Sequence, residues 1–210
     1  MTEFLNDCTG VILAGGENKR MPVLKSFITV EGHRIIEKNL KIMKQLFKDN
    51  LIVTNQPGYY TYLETPLFGD VYDTRGPMTG IFTALLNSSS HWVFISACDM
   101  PFISEDVIRF MASKRDNHDA VVPMSKGKSE PLFAFYSKRY MTLMEKSILS
   151  GEKSLRGFLH NHKKGVQYIT SRDIKRIENG KSSFINLNTP ADIDAHLRTE
   201  DIIKFKKDFK

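Results

Sequence analysis

Short apolar runs alternate with amphipathic segments along most of the chain. This alternation restricts the possible folds more than any other feature of the sequence. Val11-Ile12-Leu13 is a continuous apolar run closed by Gly15-Gly16, the pattern of a short strand buried on both faces. Ile36, Leu40, Met43 and Phe47 follow at spacings of four, three and four, which marks one face of a helix. Leu51-Ile52-Val53, Trp92-Val93-Phe94-Ile95, Ala120-Val121-Val122, Leu132-Phe133-Ala134-Phe135 and Tyr168-Ile169 predict further strands. Between them the pattern predicts a helix near 78–86, with Ile81, Leu85 and Leu86 as core candidates. A second carries Val107, Ile108 and Met111 behind an N-cap at Ser104. A third, capped by Ser137, carries Met141, Met144 and Ile148, and a short one lies around 155–159. Thr189-Pro190-Ala191-Asp192 reads as a cap, a proline at the first helical position and an early acid. Ser125 to Ser129 reads as a mobile loop.

Strand–helix alternation predicts an α/β fold, a mostly parallel sheet with helices on both faces. With 210 residues, one domain is expected over 1–200, followed by a basic tail at 201–210 whose end, Lys204 to Lys210, reads as frayed and solvated. In such sheets ligands bind beyond the carboxyl ends of the strands. The candidate motifs all follow predicted strands, so they can share one crevice.

Composition excludes more than it selects. The net charge of +6 suits a phosphate-rich partner, yet zinc-finger spacing, a recognition-helix pattern and an aromatic RNA-binding motif are absent, so no nucleic acid is expected. Cys8 and Cys98 form neither a CxxC pair nor a disulfide framework and read as idle thiols. No signal-like segment and no membrane-length apolar run occurs, so a cytoplasmic protein is expected. The six histidines show no metal-ligand spacing, and His160 and His162 read as a solvated edge.

Four clusters can carry chemistry. Leu13-Ala14-Gly15-Gly16 followed by Arg20 and Lys25 offers a glycine turn whose backbone N–H groups can cradle an anion, with two cations behind it. Arg20 can grip phosphate oxygens bidentately and Lys25 can add a point charge. The segment is neither a Walker A loop nor a dinucleotide fingerprint. Asp99, in Cys98-Asp99-Met100-Pro101, follows a predicted strand and can hold Mg²⁺ through one oxygen, or cap the turn before Pro101. Asp73 precedes the Gly76-Pro77 turn and can hold a base or ribose, or share the metal, or be a plain loop residue. Gly80, inside a predicted helix, implies close backbone approach. Asn186 and Asn188 alternate on a strand-like run, so they should point the same way, as substrate amides or as turn and cap residues.

Taken in order, these motifs, with Gly76-Pro77-Met78-Thr79-Gly80-Ile81 and Asn186-Leu187-Asn188-Thr189-Pro190, resemble the molybdenum cofactor guanylyltransferase family over most of the chain. The resemblance implies a single Rossmann-like domain that couples the GMP part of GTP to the terminal phosphate of molybdopterin carrying molybdenum, with Mg²⁺ as cofactor. It implies nucleotide contacts at Leu13, Ala14, Gly15, Gly16, Lys25, Asn55 or Thr54, Asp73 and Asp99, with Asp99 also on the metal. It implies catalytic roles for Arg20, Lys25 and Asp99, a second-substrate role for Asn186 and Asn188, and carrier or acceptor proteins of the cofactor as partners. The chain departs from the family pattern at Pro22 and Leu24, where Arg-Met-Gly and Asp-Lys are usual. Proline lacks an N–H, so a phosphate contact can be lost there. Two rivals stay open: the same fold using CTP or a sugar phosphate acceptor, and a non-catalytic nucleotide-binding partner protein.

Overall fold

The computed structural model describes residues 3–15, 24–74, 76–178, 182–197 and 201. Gly16, Arg20, Pro22 and the tail from 202 on lie outside the described residues. The strands are β1 (Cys8–Leu13), β2 (Thr29–Val30), β3 (His33–Arg34), β4 (Asp49–Val53), β5 (Leu67–Phe68), β6 (Trp92–Ala97), β7 (Ala120–Ser125), β8 (Lys128–Ser129), β9 (Phe133–Ser137) and β10 (Val166–Ile169). The helices are α1 (Ile35–Leu46), α2 (Pro77–Asn87), α3 (Glu105–Ala112), α4 (Met141–Leu149), α5 (Leu155–Asn161), α6 (Ser171–Lys175) and α7 (Pro190–His196).

The main sheet runs β10-β7-β9-β6-β1-β4-β5, with β8 paired to β7. Along this order its pairs are parallel except those of β9, which is antiparallel to both β6 and β7, and the short β8 is antiparallel to β7. Two antiparallel steps cancel, so β7 runs the same way as β6 and β1. The expected mostly parallel α/β sheet is therefore present. Alternation along the strands feeds two cores, because successive side chains point to opposite faces. Ile12, Phe94 and Phe135 pack with α1 and α3, while Val11, Val93, Ile95 and Tyr136 pack with α2, α4 and α5. A small third core joins Ile28, Val30 and Ile35 to Leu187, Ile193 and Leu197, and so docks α7 against the β2–β3 hairpin.

The local structure corrects several expectations. Leu86 is 50% exposed, because the α2 stripe runs through Met78, Ile81, Phe82 and Leu85, and the next residue is turned about 100° away. Residues 125–129 form the β7–β8 hairpin, with Ser125 opposite Lys128. Lys126 and Gly127 at φ 48° and 76° give the two-residue turn whose twist suits a hairpin. Ser137 accepts the N–H of Arg139 and so caps a 3-10 turn ahead of α4, not α4 itself. His162 stacks on Phe158, with ring centroids 4.5 Å apart, and is not a solvated edge residue. Asp201, at the start of the expected tail, is buried and accepts the Glu31 N–H at 3.0 Å.

Candidate active site

The site grows from the carboxyl ends of β1, β4, β5 and β6. After β1, the Ala14 N–H continues the ladder to Val53 O at 2.9 Å, and Leu13 O accepts the Cys98 N–H at 3.1 Å. Gly15 follows, exposed, with no left-handed φ. The turn therefore does not use Gly15 for positive φ as the sequence suggested. A Cβ on Gly15 would meet no atom within 4 Å. Its glycine is not demanded by the packing of the described residues.

Asp99 follows β6, and two buried contacts fix its neighbourhood. Its carbonyl accepts the Leu187 N–H at 3.0 Å, and the fully buried Asn39 amide of α1 donates to Met100 O at 3.1 Å. Lys25, in the 3-10 turn Lys25–Phe27, donates to Asp99 Oδ2 at 3.2 Å and to Asn188 Oδ1 at 2.5 Å. Burial raises the Asp99 carboxyl above the ordinary carboxylate range, and the Lys25 ammonium draws it partly back.

Asn188 is held by the start of α7. Asp192 Oδ2 accepts the N–H groups of Asn188 and Thr189 at 2.9 and 2.8 Å, and Thr189 Oγ1 accepts the Asp192 N–H, which makes a reciprocal capping box. Partial burial acts to raise the Asp192 carboxyl, but these hydrogen bonds outweigh it and hold the carboxyl below its usual value. Asn186 and Asn188 do not share a strand. Residues 185–188 pair with no strand, and the Asn186 amide donates back to Phe184 O at 3.5 Å while Asn188 reaches Lys25. The alternation of a strand therefore does not set their directions.

On the other side of Asp99, Asn55 and Asp70 bond reciprocally. Asn55 Nδ2 donates to Asp70 Oδ2 at 2.8 Å, and the Asp70 N–H donates to Asn55 Oδ1 at 2.8 Å. Burial raises the Asp70 carboxyl, and the Asn55 amide draws it back. Gly80 of α2 lies against this corner: a Cβ there would stand 3.4 Å from Leu13 and 3.6 Å from Asp70 Oδ1. The close approach implied by Gly80 is thus to these two side chains. Thr54 is buried, and its hydroxyl is taken by the Gln56 N–H at 3.1 Å, so of the Thr54–Asn55 pair the asparagine faces the crevice. Asp73 is exposed. Sequence reading passed over Asp70. Two aspartates precede Gly76-Pro77, and only the end of β5 at Phe68 distinguishes the nearer one to the sheet.

Beyond the carboxyl ends of the strands the structure therefore joins Asn55 and Asp70, with Leu13 close to Gly80 beside them, in one contact group, and Lys25, Asp99 and Asn188 in another, while Gly15 lies exposed after β1. Among the described residues no group of three or more His, Cys, Asp or Glu could hold a metal ion. Asp99 offers one carboxylate, and this suits a divalent cation that takes its other ligands from phosphates and water. Burial pushes the Cys98 thiol up to about 12, so it is no thiolate at neutral pH. A cavity of about 540 Å³ opens at the opposite pole, lined by Lys44, Phe47, Asn50, Thr65 and Ser88 and by none of the motif residues. No helix among the described residues is long and apolar enough to cross a membrane.

Residues 10–166 match the MobA-like NTP transferase domain family. The chain is 32% identical to the molybdenum cofactor guanylyltransferase of Desulfosudis oleivorans over 188 residues, 89% of this chain and 92% of that protein. It is 33% identical to the probable molybdenum cofactor guanylyltransferase of Natranaerobius thermophilus over 196 residues, 90% of this chain and 94% of the relative. In structure it resembles molybdopterin-guanine dinucleotide biosynthesis protein A from Archaeoglobus fulgidus, with a TM-score of 0.76 at 23% identity, over 95% of this chain and 99% of that one.

Proposed function

As the chain belongs to the MobA-like NTP transferase family, we propose that it is a nucleotidyltransferase that moves GMP from GTP to the terminal phosphate of molybdopterin carrying molybdenum, releasing pyrophosphate. The observation that carries this reading is the meeting of Lys25, Asp99 and Asn188 at the crevice centre, since they come from three separate motifs. We take residues 1–200 as the catalytic domain, acting in the cytoplasm, with carrier or acceptor proteins of the cofactor as further partners.

In this mechanism the Gly15-Gly16 backbone, Arg20 and Lys25 hold the β- and γ-phosphates, and Leu13, Ala14, Asn55 and either Asp70 or Asp73 hold the nucleoside. Asp70 is favoured by its bond to Asn55. Asn188, with Asn186 beside it, orients the second substrate against Lys25. A terminal phosphate oxygen of that substrate attacks the α-phosphorus in line. The new P–O bond forms as the bond to the β-phosphate oxygen breaks, and pyrophosphate leaves with its charge balanced by Lys25. The attacking phosphate monoester is already ionised at neutral pH, so the chain supplies no strong base. A divalent cation such as Mg²⁺, held by Asp99 with the phosphates, would withdraw charge from the phosphate oxygens.

The test is thermal unfolding with GTP, CTP or ATP, each with and without Mg²⁺, followed by a transfer assay. A nucleotide at ~100 times its dissociation constant adds roughly 2.7 kcal/mol. GTP with Mg²⁺ is expected to stabilise most. Asp99→Asn is expected to lose the Mg²⁺ increment and to cut transfer at least about 100-fold. Undiminished transfer in that variant would sink the metal role. A larger gain with CTP would change the donor, and GTP binding without pyrophosphate release would favour the non-catalytic reading.

A further inference from the structure

Asp99 follows β6, and β6 divides the crevice rim in two. The ends of β1, β4 and β5, with Gly15, Asn55 and Asp70, lie on one side. On the other side β7 ends and the antiparallel β9 begins, so the segment from Ser125 to Leu132 overhangs the far half of the rim. The β6–β9 ladder sets its level. Ser96 stands opposite Phe133, and the Ala97 N–H donates to Leu132 O at 2.9 Å, which brings Glu130 close to the level of Asp99.

Glu130 is fixed through its backbone: its N–H donates to Pro123 O at 2.9 Å, and its carbonyl accepts the Phe133 N–H at 3.1 Å. The side chain is half-buried, yet its carboxylate makes no hydrogen bond or ion pair with another described residue. Burial raises the carboxyl, and the charges of Arg156 and then Lys128 draw it back. Arg156 is tied to the same hairpin by its Nε, which donates to Ser129 O at 3.0 Å. The positive φ angles of Lys126 and Gly127 give that hairpin a defined shape. A half-buried carboxylate close to the level of Asp99, held by its backbone and without a hydrogen-bond partner among the described residues, is a recognition group in search of donors.

We propose that Glu130 is a specificity-determining residue for the acceptor, taking the paired N–H donors of a 2-amino-4-oxo pterin ring while Arg156 and Lys128 balance its charge. The proposal rests on the reading of a pterin-bearing acceptor. A pterin presents its 2-amino group and ring N–H side by side, and an ionised carboxylate offers two acceptors at matching spacing. Guanine carries the same edge, but Glu130 lies across β6 from Asn55 and Asp70, the residues proposed to hold the nucleoside.

The test compares Glu130→Gln with the wild type in fluorescence titrations with 6-hydroxymethylpterin monophosphate and with its lumazine counterpart, in which oxygen replaces the 2-amino group. The wild type is expected to prefer the pterin. Glu130→Gln is expected to bind the pterin about tenfold more weakly and the lumazine more tightly than the wild type does, because its amide offers one acceptor and one donor, which suit the ring N–H and the C2 carbonyl of lumazine. Equal pterin affinity in the variant would overturn the proposal, as would a wild type indifferent to the 2-amino group. A variant that loses discrimination between GTP and ITP, with pterin binding intact, would also overturn it by assigning Glu130 to guanine. Glu130-dependent pterin binding without GMP transfer would leave this proposal standing and remove the reading of the reaction.

Discussion

Lys25 and Asp99 are 74 residues apart in sequence and 3.2 Å apart in space, and each was singled out separately as a candidate. Residue type and position after a strand made them legible. Their pairing with each other and with Asn188 was not, because it depends on how α7 docks. Asp70 is hidden in the sequence for a related reason: what sets it apart from the exposed Asp73 is its partial burial and its bond to Asn55, both of them tertiary. Gly10 is a different case, since its role is steric. A Cβ there would stand 2.5 Å from Asn50 Oδ1 and 2.6 Å from the Phe47 ring, both held in place by neighbours. Gly10→Ala is therefore expected to destabilise the fold by about 1–3 kcal/mol through overpacking, measured by chemical denaturation. A midpoint equal to that of the wild type would show that Asn50 and Phe47 can move aside.

At the scale of elements, the start of α7 couples stability to the site. The order Thr-Pro-Ala-Asp predicts a cap and an early acid, and the structure joins Thr189 and Asp192 in a capping box. Its sequence did not say that the same cap sets Asn188 against Lys25. The Asp192 carboxyl lies below its usual value in the fold, so its contribution is present above the unfolded value near 3.8 and fades as pH falls through the lower folded value. Asp192→Asn is expected to be less stable than the wild type at pH 7, with the gap closing below about pH 3.8, as followed by thermal unfolding across pH. A gap that stays constant with pH would mean that the carboxylate charge does not matter to the cap. In the sequence the β7–β8 hairpin reads as a mobile loop because Lys-Gly is a weaker turn signal than Asn-Gly. Lysine at positive φ is uncommon, and only the paired strands reveal it.

At the scale of the whole molecule, β1 and β6 lie inside the sheet and are covered on both faces, while β5 and β10 are its edges. Amides of β1 and β6 are expected to exchange hydrogen only through global unfolding, and those of β10 through smaller openings. Native-state hydrogen exchange against denaturant checks this, and equal protection of β10 and β6 would contradict it. The same layout explains why a crevice forms at one end. Parallel strands deliver their carboxyl ends to one pole, and β9, running the other way, contributes its start.

The sequence by itself determined the alternation of strands and helices, the two-sided burial of the sheet and the residue types that gather at its carboxyl ends. These follow from periodicity and local turn chemistry, which act over a few neighbouring residues. Tertiary structure alone decided the antiparallel direction of β9, the choice of Asn55 with Asp70 at one corner, the joining of Lys25, Asp99 and Asn188, and the overhang that carries Glu130. Each of these depends on strand order and helix docking, and such long-range pairings leave no local periodicity in the chain.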